Sequence, residues 1–226
     1  MFYNKKIMKK NEVLDFLKDL IVIWVIVLLI RTFLAMPFQI NGQSMYSSFY
    51  DKEFIIVDRL STYLREPNRG DVVVFKPHVS ENKEYFIKRI IWLPGDKIKI
   101  EDWNVYLKKA WYENFVKLDE KYLNDENKWY TFVWWSKSAH TYSLWQDQYF
   151  VMWDNRNHST DSRECFSSCS IDGRTNFIKK EDIIGHVFLD LWYFNFRKFN
   201  FIQPNLGIDT TPKWFNSPSS FSYEWK

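Results

Sequence analysis

Residues 85–96, Tyr-Phe-Ile-Lys-Arg-Ile-Ile-Trp-Leu-Pro-Gly-Asp, decide the fold. The first seven residues are mostly aromatic or β-branched, which is typical of a strand, and the last three mark a turn. Because side chains alternate between the two faces of a strand, Phe86 and Ile90 should flank Lys88 on one face. An amine between two large apolar groups loses hydration, which lowers its pKa. Arg89 faces the other way and is not expected to lose hydration.

Short runs of the same kind recur through the chain and are bounded by turn residues. They lie at 54–57, 72–75, 97–100, 149–152 and 183–189. We therefore predict a mostly β protein, with an antiparallel β-barrel-like domain and an inserted β lobe at about 101–146, preceded by one N-terminal transmembrane helix.

An apolar segment precedes these strands. Residues 14–36 have about the length that spans a bilayer as a helix, and no small-x-small cleavage site follows them. Four lysines lie before the segment (Lys5, Lys6, Lys9 and Lys10), which favours a cytoplasmic N-terminus. The sequence thus predicts a basic cytoplasmic stretch at 1–13, a single-pass anchor in the cell membrane at 14–36, an extracytoplasmic domain at 37–202 and a flexible tail at 203–226.

Composition excludes little. The net charge of +3 over 226 residues does not call for a nucleic-acid partner, and no pattern predicts a metal, nucleotide or other cofactor site. The chain has two cysteines, Cys165 and Cys169, without zinc-site spacing. A disulfide and two free thiols both remain open.

Ser44, in Asn-Gly-Gln-Ser-Met-Tyr at 41–46, is a candidate nucleophile just after the anchor. The four histidines, His78, His140, His158 and His186, show no local pairing with it. A lysine whose pKa is lowered by burial can replace histidine as the base. Lys88 is the candidate, although a solvated surface lysine is the ordinary alternative for one strand position.

Four segments, in order, resemble those of bacterial type I signal peptidases. They are Ser44-Met45 behind the anchor, 69–75 (Arg-Gly-Asp-Val-Val-Val-Phe), 85–96, and 154–163 (Asp-Asn-Arg-Asn-His-Ser-Thr-Asp-Ser-Arg). The resemblance covers roughly residues 20–190. It implies a serine endopeptidase in which Ser44 attacks the scissile carbonyl and Lys88 takes its proton. Ser159 would orient Lys88.

The resemblance also implies supporting roles. Asp161 and Arg163 would form an ion pair that braces their loop, and Asp154 would be structural. The oxyanion hole would use the Ser44 N–H and a group at position 42, where this chain has Gly42. A further departure is Ser47-Ser48, where the family usually has Pro-Thr.

The expected substrates are preproteins whose signal peptides are cut after small-x-small (Ala-x-Ala) sites, with the lipid bilayer as a second partner. Two alternatives remain. Self-cleaving repressor-type peptidases share a related dyad but carry a DNA-binding module and no anchor. A membrane-anchored, aromatic-rich β binding module without catalysis would explain the tryptophans but not the four segments.

Glycine and tryptophan counts are out of balance. The chain has 6 glycines and 12 tryptophans, whereas average usage of about 7% predicts about 16 glycines. Trp92 and Trp153 stand where the family pattern has glycine, and Trp103 and Trp145 fall in expected turns. We hypothesise that such tryptophans are glycines encoded by UGA in the living organism. Trp24 and Trp192 fit this hypothesis less well, and an aromatic-rich protein is the alternative.

Overall fold

The computed structural model describes residues 10–30, 35–76, 85–128, 131, 140–156, 161–167, 175–195 and 197–201. The tail at 203–226, the pair Trp134-Trp135 and the segment 157–160 lie outside these residues. The helices are α1 (Lys10–Leu29) and α2 (Leu60–Leu64), with short 3-10 turns at Ser162–Ser167 and Lys180–Asp182. The strands are β1 (Ala35–Gln39), β2 (Phe54–Asp58), β3 (Val72–Phe75), β4 (Phe86–Trp92), β5 (Lys97–Glu101), β6 (Asn104–Lys108), β7 (Val116–Lys117), β8 (His140–Ser143), β9 (Gln148–Met152), β10 (Ile178–Lys179), β11 (Ile183–Asp190), β12 (Phe194–Asn195) and β13 (Asn200–Phe201).

The main sheet has seven strands in the order β1-β2-β11-β3-β4-β9-β10. Each strand pairing found in the described residues is antiparallel, from β1 with β2 through β9 with β10. The prediction of a mostly antiparallel β fold is therefore confirmed. β4 lies in the interior of the sheet between β3 and β9, so both of its faces can be buried.

A second sheet holds the strands between Lys97 and Ser143, in the order β7-β6-β5-β8. Its apolar face joins residues at the end of β4 and in β9 in one buried cluster, which includes Trp92, Ile98, Leu107, Tyr142 and Phe150. The second sheet is thus packed directly against the strand that carries Lys88.

β1 was not predicted as a strand. The helix α1 ends at Leu29, and Ala35 and Met36, the last residues assigned to the anchor, begin β1 and pair with Asp58 and Val57. β1 is an edge strand, which explains how it accommodates Pro37.

In the described part of the chain, no helix combines the length and the apolar character needed to cross a membrane.

Gly185 marks the closest approach within the main sheet. A Cβ at this position of β11 would lie 2.5 Å from Val57 Cγ1 and 2.6 Å from the Asp58 carbonyl oxygen of β2. Gly185→Ala is therefore expected to lower the free energy of unfolding by roughly 1–3 kcal/mol, as overpacking does. Urea denaturation measures this change. The control is Phe188→Ala on the same strand, whose side chain is 60% exposed and whose loss should cost less than about 0.5 kcal/mol. Equal stability of the two variants would contradict the prediction.

Candidate active site

A cleft of about 800 Å³ brings the two predicted catalytic residues together. One wall is formed by the end of β1 and the turn that follows it, and another by β4 from Phe86 to Lys88. Ser44 and Lys88 both line the cleft, together with Trp153 and Asn155. The segment 153–156 therefore reaches the nucleophile turn and the base strand at once.

The turn that carries Ser44 is held by an apolar cluster and by two hydrogen bonds from Asn155. Met45 and Phe49 are buried in the same apolar cluster as strand residues of β2 and β3. Asn155 N–H donates to the Ser44 carbonyl oxygen over 3.0 Å, and Asn155 Nδ2 donates to the Gln43 carbonyl oxygen over 3.0 Å. Ser44 is itself only half-buried, so its hydroxyl can meet a substrate while its backbone is fixed.

Gly42 occupies a left-handed conformation, with φ +98°. Its N–H donates to Asp51 Oδ1 over 2.7 Å, so this donor is already used by a carboxylate. By contrast, the Ser44 N–H makes no hydrogen bond with any described residue. Of these two backbone donors, Ser44 is the one open to an oxyanion.

Lys88 is buried, with 1% of its surface exposed. Nζ donates to the Ile87 carbonyl oxygen over 2.8 Å and lies 4.0 Å from the centroid of the Trp153 ring and 5.2 Å from that of Phe86. Burial lowers the pKa of Lys88 well below 10.5, an effect that the carboxylates of Asp161 and Asp154 partly oppose. The amine thus has the environment of a general base, although Nζ makes no hydrogen bond to Ser44 in this structure.

Arg89 corrects one sequence expectation. It does face away from Lys88, but it is also buried, at 3% exposure. Its Nε and one terminal nitrogen donate to the two Asp154 oxygens over 2.9 and 2.6 Å, and the other terminal nitrogen donates to the Gly70 carbonyl over 2.9 Å. Strand alternation predicts the side of a residue but not its depth, and β4 is buried on both faces from Lys88 to Trp92.

Asp161 fixes both ends of the loop that contains Ser159. Its Oδ2 accepts the Trp153 N–H over 3.2 Å, and its two oxygens accept from Arg163 over 2.9 and 3.0 Å. Arg163 also donates to the Arg156 carbonyl oxygen over 3.3 Å. Ser159 itself lies outside the described residues, so its contact with Lys88 stays a prediction.

Sequence reasoning missed the pair formed by Arg156 and Glu120. Arg156 is buried and donates to Glu120 over 2.5 Å, to the Tyr122 hydroxyl over 2.9 Å and to Thr131 Oγ1 over 3.3 Å. Glu120 lies in the charge-rich stretch of the second-sheet region, where no local pattern distinguishes it from solvated neighbours. The contact ties that region to the loop beside Ser44.

The described histidines lie elsewhere. His186 Nδ1 is 2.8 Å from Ser61 Oγ, and its Nε2 is 3.3 Å from Asp71 Oδ2. This set has the residue types of a Ser-His-Asp triad, but none of its members lines the cleft of Ser44. His140 packs on the Tyr142 ring of β8, while His78 and His158 lie outside the described residues.

Cys165 lies just after the loop that contains Ser159, and it is disulfide-bonded. Cys169, which lies outside the described residues, is the chain's only other cysteine and so its only possible intrachain partner. Of the two alternatives left open by the sequence, the disulfide is the one formed.

Comparison with known proteins identifies the family. The model of the signal peptidase family, peptidase S26, matches residues 13–192. The chain belongs to this family. It is 35% identical to a signal peptidase I of Bacillus amyloliquefaciens over 77% of this chain and 91% of the relative. It is 31% identical to signal peptidase I P of Bacillus subtilis subsp. natto over 81% of this chain and 91% of the relative. A crystal structure of a signal peptidase I from Enterococcus faecalis V583 matches with a TM-score of 0.39 and 25% identity, over 54% of this chain and 97% of that one.

Membership in the signal peptidase family makes the chain a serine endopeptidase. It confirms the resemblance stated from the four segments and favours the enzyme over the binding-module alternative. The matched region begins within α1 and ends at Trp192, so it contains the main sheet, the second sheet and the whole cleft, but not the pair of β12 and β13.

The burial of Lys88 predicts a pH-dependent stability. Between the lowered pKa of the folded protein and 10.5, the unfolded chain binds the extra proton, so stability rises with pH across this window. Lys88→Met removes the titrating amine and should be more stable than the unsubstituted signal peptidase at pH 7. The difference should shrink as the pH approaches 10.5, as measured by urea denaturation.

The control for this measurement is Lys99→Met, which replaces a lysine with 27% of its side chain exposed on β5. This variant measures the effect of losing a lysine that is not fully buried. A Lys88→Met difference that does not change with pH would show that burial does not shift the Lys88 titration.

Glu120 should act as a positioning residue. Glu120→Gln leaves the buried Arg156 beside a neutral group, so the segment 153–156 should shift. As a result, kcat should fall by at least about tenfold, with a smaller change in KM. The matched control is Asp119→Asn, because Asp119 is 72% exposed and, among the residues that the structure describes, pairs only with the surface Lys121. If the two variants have the same kcat, the pair does not position the loop.

Proposed function

We propose that this signal peptidase cleaves preproteins with Ser44 as nucleophile and Lys88 as general base. The observation that carries the proposal is the buried amine of Lys88 in the same cleft as Ser44. A serine hydroxyl needs a base to become nucleophilic, and a lysine serves when its environment keeps the amine neutral. Desolvation is the first cause of the lowered Lys88 pKa, which is the required environment.

Each step of acyl transfer has a group to perform it. Neutral Lys88 takes the Ser44 Oγ proton as the oxygen attacks the scissile carbonyl carbon, and the Ser44 N–H donates to the oxyanion that forms. The Lys88 ammonium then gives its proton to the departing amine, which leaves an ester on Ser44. In the second half, Lys88 deprotonates a water that attacks the ester, and the proton returns to Ser44 on release of the acid.

Five further residues support the dyad. We assign to Ser159 the role of orienting Lys88. Its loop begins and ends at two residues that are hydrogen-bonded to Asp161, namely Trp153 and Arg163. The Asp161–Arg163 pair braces that loop, and Asp154 holds Arg89 beside the base strand. Gly42 supplies the conformation of the turn and not a hydrogen bond to the oxyanion, since its N–H donates to Asp51.

Substrate binding uses the free edge of the main sheet. β1 is an edge strand that lines the cleft, so an extended preprotein segment can pair with its backbone. Apolar side chains of neighbouring strands, among them Ile55 and Val74, line the cleft beside Ser44. Shallow apolar pockets accept small side chains, which supports cutting after small-x-small sites.

The enzyme is proposed to work at the cell membrane. The second half of α1 carries only apolar residues, and they are exposed, with Trp24 at 66% and Ile21 at 62%. Lysines precede it in the sequence. Such a segment is stabilised in a bilayer with its lysines on the cytoplasmic side, which puts the cleft outside the cytoplasm. The layout keeps 1–13 inside and 37–202 as the peptidase domain, while the anchor predicted at 14–36 ends before Ala35, because Ala35 and Met36 belong to β1.

Cleavage of an Ala-x-Ala preprotein in detergent tests the dyad. Ser44→Ala and Lys88→Arg should each lower kcat/KM by at least about a thousandfold, the second because a guanidinium stays charged and cannot accept the proton. The unsubstituted enzyme should gain activity with rising pH as Lys88 loses its proton. Full activity of either variant would refute the assignment.

Ser61→Ala is the matched control for this assay. Ser61 is the one described serine that contacts a histidine, and it lies outside the cleft. The variant should keep the unsubstituted rate. Loss of activity in Ser61→Ala with activity retained in Ser44→Ala would move the nucleophile to the Ser61–His186 set.

A further inference from the structure

Several tryptophans occupy positions that suit glycine. The clearest is Trp103, in the hairpin between β5 and β6. Because Glu101 pairs with Asn104, only Asp102 and Trp103 form the loop, with φ of +47° and +65°. Positive φ at both central residues is the type I′ turn, whose usual sequences are Asn-Gly and Asp-Gly. A left-handed backbone brings Cβ against the carbonyl oxygen in every residue but glycine.

Trp192 has the same conformation in a different place. Its φ is +57°, and the conformation is imposed by the sheet. The N–H of Phe54 donates to the Trp192 carbonyl over 2.9 Å, and Leu191 N–H donates to the Phe54 carbonyl over 2.8 Å. The sequence alone gave no reason to single out Trp192, because a positive φ at the end of a strand leaves no local pattern.

Trp153 conflicts with its surroundings through its side chain. Its indole Nε1 is buried and has no hydrogen-bond partner among the described residues, although buried tryptophans usually find one. Its ring lies 4.0 Å from Lys88 Nζ, where the π face favours the charged amine. A general base needs the neutral amine, so the ring opposes the chemistry of the cleft that it lines.

We propose that residues 103, 153 and 192 are glycine in the protein that the source organism makes. A UGA codon that the organism reads as glycine gives tryptophan when it is decoded by a code in which UGA means tryptophan. Glycine at these three positions would change the counts from 12 tryptophans and 6 glycines to 9 of each, which reduces the imbalance. At position 153, glycine opens the wall of the cleft next to Lys88.

Other tryptophans do not carry the argument. Trp24 lies in α1, where glycine would weaken the helix. Trp92 packs in the core, with its ring centroid 4.2 Å from that of Phe150, and does not have a positive φ. Trp145 opens a turn closed by Gln148 but does not have a positive φ. Trp24 is the reference for the test.

The codons and the native peptides test the proposal without any assay of activity. The gene should have UGA at 103, 153 and 192, and mass spectrometry of peptides from the source organism should find glycine there. Trp24 should be encoded by UGG and found as tryptophan. UGG codons, or tryptophan in the native peptides at these three positions, would overturn the proposal.

Recombinant variants test the physical basis. Trp103→Gly should raise Tm by several degrees, while Trp111→Gly, at a residue 94% exposed, should leave it unchanged. Trp192 is buried against the rings of Tyr50 and Tyr193, so the codon and the native peptide test that position instead of Tm. Trp153→Gly should raise kcat/KM at least about tenfold, and Trp103→Gly, outside the cleft, should not. A fall in Tm for Trp103→Gly would contradict the conformational argument. Glycine at 153 in native peptides without a gain in rate would instead count against Lys88 as the base.

Discussion

Desolvation of one amine is the constraint on which the site depends. Lys88 is buried, with 1% of its surface exposed, and its Nζ lies 5.2 Å from the centroid of the Phe86 ring. Two carboxylates nearby, Asp161 and Asp154, raise the Lys88 pKa, but desolvation by burial outweighs them. Each carboxylate is bound to an arginine, Arg163 or Arg89. These buried ion pairs hold the loop and the base strand in place.

The segment 153–156 connects the otherwise separate parts of the molecule. Asn155 binds the turn of Ser44, Asp154 binds the strand of Lys88, and Arg156 binds Glu120 from the second-sheet region. Trp153 is joined through its N–H to Asp161. Residues 153–156 therefore connect the main sheet and the second-sheet region to the turn that carries Ser44. A shift of either part would move these residues and so change the cleft.

The sequence predicted the strands well because alternation and turn residues are local signals. β2, β3, β4, β5, β9 and β11 lie where the runs of β-branched and aromatic residues placed them. β1 was missed because its residues continue an apolar run, and Glu120 because its partner is distant in sequence. Burial of Arg89 and the left-handed backbone of Trp192 depend on neighbouring strands, so no local pattern contains them.

The short connection between α1 and β1 has a mechanical consequence. Leu29 ends the helix and Ala35 begins the edge strand, so six peptide steps, roughly 20 Å at full extension, are the most that can separate them. In the membrane-anchored arrangement proposed above, the start of the edge strand stays within that distance of the end of α1. A cleavage site held much farther from the lipid surface would then be out of reach of the cleft.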